Sequence, residues 1–453
     1  MVLVAAEPLG TLPAWMYHAQ APPPDHAMNM TIPGLTWPDL VFPFFLFTLG
    51  AAIPLALARR LDRGAGYGAI LGGAAARGGL LVFFALFRQH FDSAVSGITP
   101  DVRGWIVGLV GFGVLCLIFT RLPDRWAASW RVGARAVGWM AAAGMFALVT
   151  HPDGTRFRPE RIDIILLILA YCASFGTLVW LLTRHNLLAR LAVLAFIASF
   201  RLVGYSEGWV AALYAFDPVP WLYKFSFFHF LCAVIPGTVA GDMLLAWMRS
   251  REMVAFAAVE RRGWSDGRAG ALAGVLVAAV PLVLVGIQAR QVFVTTVLAA
   301  AVCGVAHLLA RRPLGDIEVV IERLVHWGSF WLLLGLLLDP FEGGTRKVPE
   351  TFAWFFQGCG LAIFVLAALL IMTDVLGRGR WLQLLVDAGQ NPMVAYVGLG
   401  MVVLPVVGLT GIARVIDALA PPPWIAFGWS VVLTLLVALL ARAFTRRALF
   451  WRA

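Results

Sequence analysis

Two histidines and an aspartate near the start of the chain have the residue types needed for acid–base chemistry. His18 and His26 lie in a Pro-rich stretch, and Asp39 follows at the beginning of an apolar run. A neutral imidazole can accept a proton near physiological pH, and a carboxylate can orient the ring. We therefore expect a histidine base with Asp39 as its orienting group. The alternative is that Asp39, after Pro38, only caps a helix.

Polar side chains inside apolar runs form a second group of candidates. An ionisable group at membrane depth is disfavoured by at least about 2.5 kcal/mol, which favours a functional reason for its presence. The candidates for binding substrate or acyl-CoA are Arg77, Arg201, Glu207, His229 and Asn391. Arg201 and Glu207 are expected to lie deep in one span and to share a polar cavity; Arg201 paired structurally with Glu207 is the alternative.

Asn391 lies in the motif Gly389–Met393, in which glycine and proline flank a polar pair. This pattern predicts a broken helix, which is tolerated at membrane depth where it is buried in protein or lines a cavity. We expect the Asn391 amide to face such a cavity, and an ordinary proline kink is the alternative.

The elements that position these residues are predicted to be membrane helices. Hydrophobic residues make up 61% of the 453 residues and charged residues 13%, whereas soluble domains carry about 25% charge. Continuous apolar runs near 20 residues are typical of bilayer-spanning helices. The predicted fold class is all-α: a polytopic integral membrane helix bundle with about 12–13 transmembrane helices.

Thirteen spans follow from the apolar runs, and they divide the chain into three parts. Residues 1–37 are expected to be a periplasmic segment, 38–445 the transmembrane domain and 446–453 a cytoplasmic tail. The predicted spans are 38–58, 66–90, 104–120, 136–150, 163–183, 188–214, 222–248, 268–287, 291–309, 316–338, 351–375, 383–411 and 423–445.

The basic residues outside the spans fix the predicted orientation. Alternating the spans places 22 arginines on the side of the C-terminus and 8 basic residues on the other. The richer side is predicted to be cytoplasmic. This scattered distribution also argues against nucleic acid as the reason for the net charge of +10. Arginine far outnumbers lysine, as in high-GC bacterial genomes, so we expect a bacterial inner membrane. The five cysteines lie in spans without a Cys-x-x-Cys pair, and no metal is predicted.

Four segments carry a family resemblance. They are GLTWPDLVFPFFLFTLG (34–50), LPAWMYHAQAPPPDH (12–26), DPFEGGTRKVPETFAWFF (339–356) and GQNPMVAYV (389–397). In this order they resemble the heparan-alpha-glucosaminide N-acetyltransferase family and its bacterial membrane relatives.

The resemblance implies transfer of an acetyl group across the membrane. Cytoplasmic acetyl-CoA would be the donor substrate, and a carbohydrate amine or hydroxyl on the far side would be the acceptor. The family's catalytic histidine precedes the Asp-Leu-Val-Phe-Pro motif, so we expect His26 to act, with His18 as its rival, by removing a proton or by carrying acetyl. Arg77, Arg201 and Asn391 would line the tunnel for the donor. Family members begin with a further helix, so we also expect an upstream coding segment.

Two other function classes stay open. Broken helices and buried charges also suit a transporter or flippase for a lipid-linked saccharide. A structural scaffold fits poorly with so many charges inside spans. Membrane lipid is an expected partner in every case, and a homodimer is left open.

Overall fold

The chain folds into a bundle of α-helices. The computed structural model of the protein describes residues 12–98, 101–122, 127–203, 207–254, 263–418 and 422–452. Over these ranges the α-helices are α1 (Trp37–Asp62), α2 (Tyr67–Phe91), α3 (Val102–Phe119), α4 (Ala128–Leu148), α5 (Ile164–Thr183), α6 (Leu187–Val203), α7 (Trp209–Tyr214), α8 (Leu231–Val254), α9 (Asp266–Gln288), α10 (Val292–Ala310), α11 (Asp316–Leu338), α12 (Phe352–Leu370), α13 (Gln383–Gly389), α14 (Pro392–Gly398), α15 (Leu404–Leu409), α16 (Ile412–Ala418) and α17 (Pro423–Arg446).

Eleven helical stretches in the described ranges are long and apolar enough to cross a membrane. The predicted class, an all-α polytopic membrane protein, is therefore confirmed. Some stretches combine elements: a 3₁₀ turn over Phe225–Phe230 leads into α8, and a π-turn over Leu399–Val403 joins α14 to α15. We call the end of the bundle at which α1 begins the upper face, and the other end the lower face.

Two predicted spans are outside these eleven. The prediction of one helix over 188–214 was wrong, because α6 ends at Val203 and α7 begins at Trp209, after Gly208 with φ of 107°. The predicted span 136–150 overlaps α4, which begins eight residues earlier, ends at Leu148 and has two arginines near its start. By contrast, the predicted break near Asn391 is confirmed, because α13 ends at Gly389 and α14 begins at Pro392.

Glycines bring the backbones of α1 and α8 into contact at the centre of the bundle. A Cβ at Gly237 would lie 2.1 Å from the carbonyl oxygen of Phe47, and one at Gly50 would lie 2.1 Å from that of Val234. Small residues permit this close approach of membrane helices. The two helices run parallel, so the residues that begin them lie together at the upper face.

Substitution of Gly237 tests this crossing. We expect Gly237→Ala to destabilise the protein by about 1–3 kcal/mol, because the new methyl group overlaps a backbone carbonyl that cannot move aside. Thermal unfolding in detergent measures the effect. Gly274→Ala in α9 is the matched control, because a Cβ there meets open space. Equal unfolding temperatures for the two variants would contradict the close packing.

Cysteine labelling tests the predicted orientation. Phe341, in a loop of the upper face, is 88% exposed, and Trp381, at the lower face, is 85% exposed. In intact bacterial spheroplasts, Phe341→Cys should react with an impermeant thiol reagent. Trp381→Cys should react only after permeabilisation. The unsubstituted protein is the control, because it shows how much labelling comes from the five native cysteines. The reverse labelling pattern would overturn the predicted orientation.

Candidate functional site

His18 and Asp39 are hydrogen-bonded to each other at the upper face. The chain from Leu12 to Thr36 folds back over the start of α1, which brings His18 Nδ1 within 2.6 Å of Asp39 Oδ1. The Asp39 side chain is 3% exposed and that of His18 is 39% exposed. A carboxylate bound to Nδ1 favours the tautomer in which Nδ1 carries the hydrogen. The His18 ring therefore presents Nε2 as its basic nitrogen.

The second carboxylate oxygen of Asp39 binds the loop that leads into α1. Oδ2 accepts hydrogen bonds from the backbone N–H of Ala19, at 3.1 Å, and of Thr36, at 3.2 Å. The Thr36 hydroxyl lies 2.8 Å away from it. Asp39 thus caps its own helix, as one sequence interpretation proposed, and also orients His18. Capping and orientation are therefore combined in one side chain.

His26 does not contact Asp39, contrary to the expectation that the two residues act together. Its Nδ1 lies 3.4 Å from the carbonyl oxygen of Ala21, and its ring is 4.3 Å from that of Tyr17. The Pro-rich stretch turns the chain away from α1, and His26 has a positive φ of 51°. The structure places His18 in the position that the sequence analysis assigned first to His26.

The loop between α11 and α12 packs against the N-terminal segment. Gln20 forms two hydrogen bonds with the backbone of Val348, at 2.5 and 2.9 Å. Gly34 N–H donates to the carbonyl oxygen of Thr345 at 2.8 Å. Buried Asp339 binds Thr345 in turn and pairs with Arg290 at 3.1 Å. Three of the segments that carry the family resemblance therefore meet at the upper face.

This loop carries Lys347 and Glu350 to the site. Lys347 lies within electrostatic reach of both Asp39 and Glu350, and burial lowers the pKa of its amine. Burial would raise the pKa of Glu350, but His229 and Arg201 outweigh it and lower that pKa below its ordinary value. Glu350 is therefore ionised beside the basic groups that surround it.

His229 connects Glu350 to a tyrosine. His229 Nε2 lies 3.5 Å from Glu350 Oε2, and Nδ1 lies 3.1 Å from the hydroxyl oxygen of Tyr214. Arg201 is buried and donates to the backbone carbonyl of Glu350. Of the predicted binding residues, His229 and Arg201 are thus brought together, with Glu350 between them.

An apolar cavity of about 230 Å³ adjoins His229. Its walls come from α5, α6, α7 and α8 and from the 3₁₀ turn before α8. Tyr214 and His229 supply its polar groups, and the rest of the lining is Phe175, Leu178, Val179, Val193, Phe196, Ile197, Phe200, Phe225, Phe228 and Leu231. An engineered apolar cavity of about 150 Å³ binds benzene. The cavity is therefore large enough for a short alkyl chain.

The other three predicted binding residues lie elsewhere. Arg77 is exposed on the outer surface of α2, so it does not line a tunnel. Glu207 is also exposed, and it lies beyond the end of α6 rather than deep in a span with Arg201. Helical periodicity did not reveal that α6 stops before Glu207, because apolar residues continue on both sides of the short stretch GYSEG (204–208).

Asn391 is buried, but its amide is occupied by structural partners near the lower face. Its nitrogen donates to the Thr445 hydroxyl at 2.7 Å, and its oxygen accepts from the Trp451 backbone N–H at 3.0 Å. The expectation that this amide faces a cavity was wrong, because the end of α17 and the C-terminal tail pack against it. Asn391 instead holds the C-terminal tail in place through hydrogen bonds.

The sequence analysis assigned no role to Lys347, Glu350 or Tyr214. The two loop residues lie inside the quoted segment 339–356, and the signal was a charged pair directly before the Thr-capped start of α12. Tyr214 gave no signal, because nothing in the sequence shows that α7 returns to His229. No group of three or more His, Cys, Asp or Glu side chains within the described ranges is placed to hold a metal.

A second polar cluster at the upper face was also missed. Arg88 binds Asp163, lies 3.4 Å from Asp92 Oδ2 and stacks over the ring of Tyr396. The Tyr396 hydroxyl donates to Asp163 at 3.1 Å. These contacts join α2, α5 and α14. Arg88 pairs with two carboxylates in this cluster, and its contacts between helices indicate a structural role.

A family model matches the first part of the chain. The match covers residues 1–244, and the family is described as a domain of unknown function, DUF5009. The chain belongs to the DUF5009 family. No curated protein matches the chain. The DUF5009 match extends from the N-terminal segment into α8, so it includes His18, Asp39, Arg201 and His229. Lys347 and Glu350 lie outside the matched region and complete the same site.

The lowered pKa of Glu350 predicts a pH-dependent contribution to stability. A carboxyl group whose pKa is lower in the folded state stabilises the protein above its unfolded pKa of about 4.3 and loses that effect as the pH falls. The unfolding temperature of Glu350→Gln should therefore lie below that of the unsubstituted protein at pH 7. The gap should narrow at about pH 3, as the pH falls towards the lowered pKa of Glu350.

Glu160→Gln is the matched control, because Glu160 is an exposed residue of another upper-face loop. It should unfold at the temperature of the unsubstituted protein at both pH values. A gap for Glu350→Gln that is as large at about pH 3 as at pH 7 would show that its charge is not what stabilises the fold.

Proposed function

We propose that the protein is a membrane-bound acyltransferase, which moves an acetyl group from acyl-CoA to a carbohydrate amine or hydroxyl. The observation that carries the proposal is the hydrogen bond between His18 and Asp39, with Lys347 nearby. The resemblance of the segments that build this site to the heparan-alpha-glucosaminide N-acetyltransferase family supports the same reaction class. The acceptor would bind at the upper face, which is predicted to be periplasmic.

In the proposed reaction, His18 acts as a general base. Nε2 takes the proton as the acceptor nitrogen or oxygen attacks the thioester carbonyl carbon. The carbon–sulfur bond then breaks, the electron pair leaves with the CoA sulfur, and the proton held by His18 neutralises that thiolate. Asp39 holds the ring in orientation and stabilises the imidazolium between these steps. Covalent transfer through an acetyl-histidine is the variant mechanism.

Lys347 is the group best suited to stabilise the negative charge on the carbonyl oxygen. It is the basic side chain of the 339–351 loop that lies within electrostatic reach of Asp39. A cation in a site of low dielectric stabilises a developing oxyanion more strongly than it would in water. The adjoining apolar cavity beside His229 suits the alkyl part of a substrate, such as the lipid portion of an acceptor.

Substitution of His18 tests the proposal. We expect His18→Asn to lower turnover by at least about 100-fold, because general acid–base groups typically contribute about 10²–10⁴-fold. The assay uses purified protein in liposomes, with labelled acetyl-CoA outside and glucosamine-containing oligosaccharides or other carbohydrate acceptors trapped inside. Label on the trapped acceptor measures transfer.

His26→Ala is the matched control, because it removes a histidine of the same segment that does not touch Asp39. It should retain activity within a few-fold. If His26→Ala loses activity and His18→Asn retains it, His26 is the base instead of His18. Mass spectrometry of the 12–37 peptide after incubation with acetyl-CoA alone distinguishes a covalent acetyl-histidine from direct transfer.

Lipid translocation is the second candidate function. The cavity lined by α5, α6 and α8 is almost wholly apolar and ends at His229, which also suits the chain of a lipid-linked saccharide. The same liposomes distinguish the two functions. Movement of a labelled lipid-linked saccharide between leaflets, without any acetyl transfer, would favour translocation.

A further inference from the structure

A basic cavity of about 270 Å³ lies at the lower face, between the end of α3 and the start of α4. Arg121, Arg131 and Arg135 line it, together with Thr120, Leu122, Ala128 and Val132. None of these described lining residues is acidic. Three guanidinium groups therefore meet at one cavity on the opposite side of the bundle from His18.

We expect the arginines to lie at the depth of lipid headgroups. Arg121 follows the end of α3 by two residues, and Arg131 and Arg135 lie one turn apart near the start of α4. At 1.5 Å per residue they are about 5 and 10 Å from the start of that helix. The polar zone on each side of a bilayer is about 5–8 Å thick. Trp130, which is 71% exposed, is the type of residue that anchors a helix at this boundary.

The α3 wall of the cavity is held by the C-terminal tail. Arg121 N–H donates to the carbonyl oxygen of Phe450 at 2.9 Å, and Arg452 N–H donates to that of Phe119 at 3.0 Å. Trp451, between them, is bound by Asn391 at 3.0 Å. Asn391, at the break between α13 and α14, thus holds the tail in place, and the backbone hydrogen bonds between the tail and the end of α3 position Arg121.

The outer wall of the cavity, formed by α4, lies on the outside of the bundle. Of the residues of α4, all of which are described, Gly138 and Ala142 are the buried ones. A ligand can therefore enter from the membrane or from the lower aqueous side.

We propose that this cavity binds a phosphate group. Guanidinium groups match phosphate oxygens in geometry and charge, and basic cavities between membrane helices on the cytoplasmic side bind anionic lipid headgroups. An anionic phospholipid would place its headgroup among the arginines and its chains along α4. Free CoA carries the same chemistry and is the other source of phosphate. The inference does not depend on acyl transfer.

Lipid titration of an arginine variant tests the proposal. Phosphatidylglycerol is added to detergent-purified protein, and binding is read by native mass spectrometry and by the unfolding temperature. CoA is titrated separately, and phosphatidylcholine is the zwitterionic comparison. Arg121→Gln/Arg131→Gln/Arg135→Gln should bind phosphatidylglycerol at least about tenfold more weakly, since each arginine near an anionic surface contributes about fivefold.

Arg63→Gln/Arg378→Gln/Arg380→Gln is the matched control, because it removes three exposed lower-face arginines outside the cavity. Loss of phosphatidylglycerol binding in the cavity variant alone supports a lipid site. Loss of CoA binding in the cavity variant alone supports a phosphate site used by the coenzyme. Equal binding by the cavity variant and the unsubstituted protein, or equal losses in both variants, overturns the proposal.

If the triple variant does not fold, a single substitution still tests the proposal. Arg135 is exposed, and Arg135→Gln should weaken binding of the same ligand by about fivefold. Unchanged affinity for both phosphatidylglycerol and CoA would then overturn the proposal.

Discussion

The buried carboxylate of Asp39 joins three stretches of the chain at the upper face. The carboxylate binds His18 and Ala19 from the N-terminal segment and Thr36 from the turn before α1. The backbone carbonyl of Asp39 also accepts a hydrogen bond from the indole of Trp354 in α12 at 3.0 Å. An unpaired buried carboxylate is strongly disfavoured, so these donors must be in place for the fold to form. The same requirement fixes the imidazole of His18, and stability and site geometry therefore depend on one interaction.

Charges in the rest of the bundle follow the same rule. Arg190, which is 2% exposed, pairs with Asp242 at 2.6 Å, and Arg88 is held by Asp163 and Asp92. The Arg190–Asp242 and Arg88–Asp163 pairs connect different helices, and all of these contacts compensate the cost of taking charge out of water. The His229 and Glu350 contact differs from them, because an apolar cavity adjoins it and a ligand can reach it. The adjoining cavity distinguishes the candidate site from the structural ion pairs.

The two faces of the protein present different chemistry. The upper face combines an oriented histidine, a lysine and a histidine–glutamate contact, which suits proton transfer. The lower face presents three arginines at one cavity, which suits binding of phosphate. The close crossing of α1 and α8 ties the helix starts at the upper face, and the Asn391 contacts hold the tail against α3 at the lower face.

The sequence by itself determined the membrane class and most of the spans, because apolar length and charge depletion act locally and can be read along the chain. It also located the break before α14 and the helix-capping position of Asp39. It did not decide which of His18 and His26 contacts Asp39, because a Pro-rich segment of this length can bring either to α1. Hydropathy likewise could not tell that Arg77 faces outward and that Arg201 faces Glu350, since both are arginines within apolar runs. Those outcomes depend on which helices become neighbours, and contacts such as those of Glu350 with His229 join residues more than 100 positions apart, so only the tertiary structure decides them.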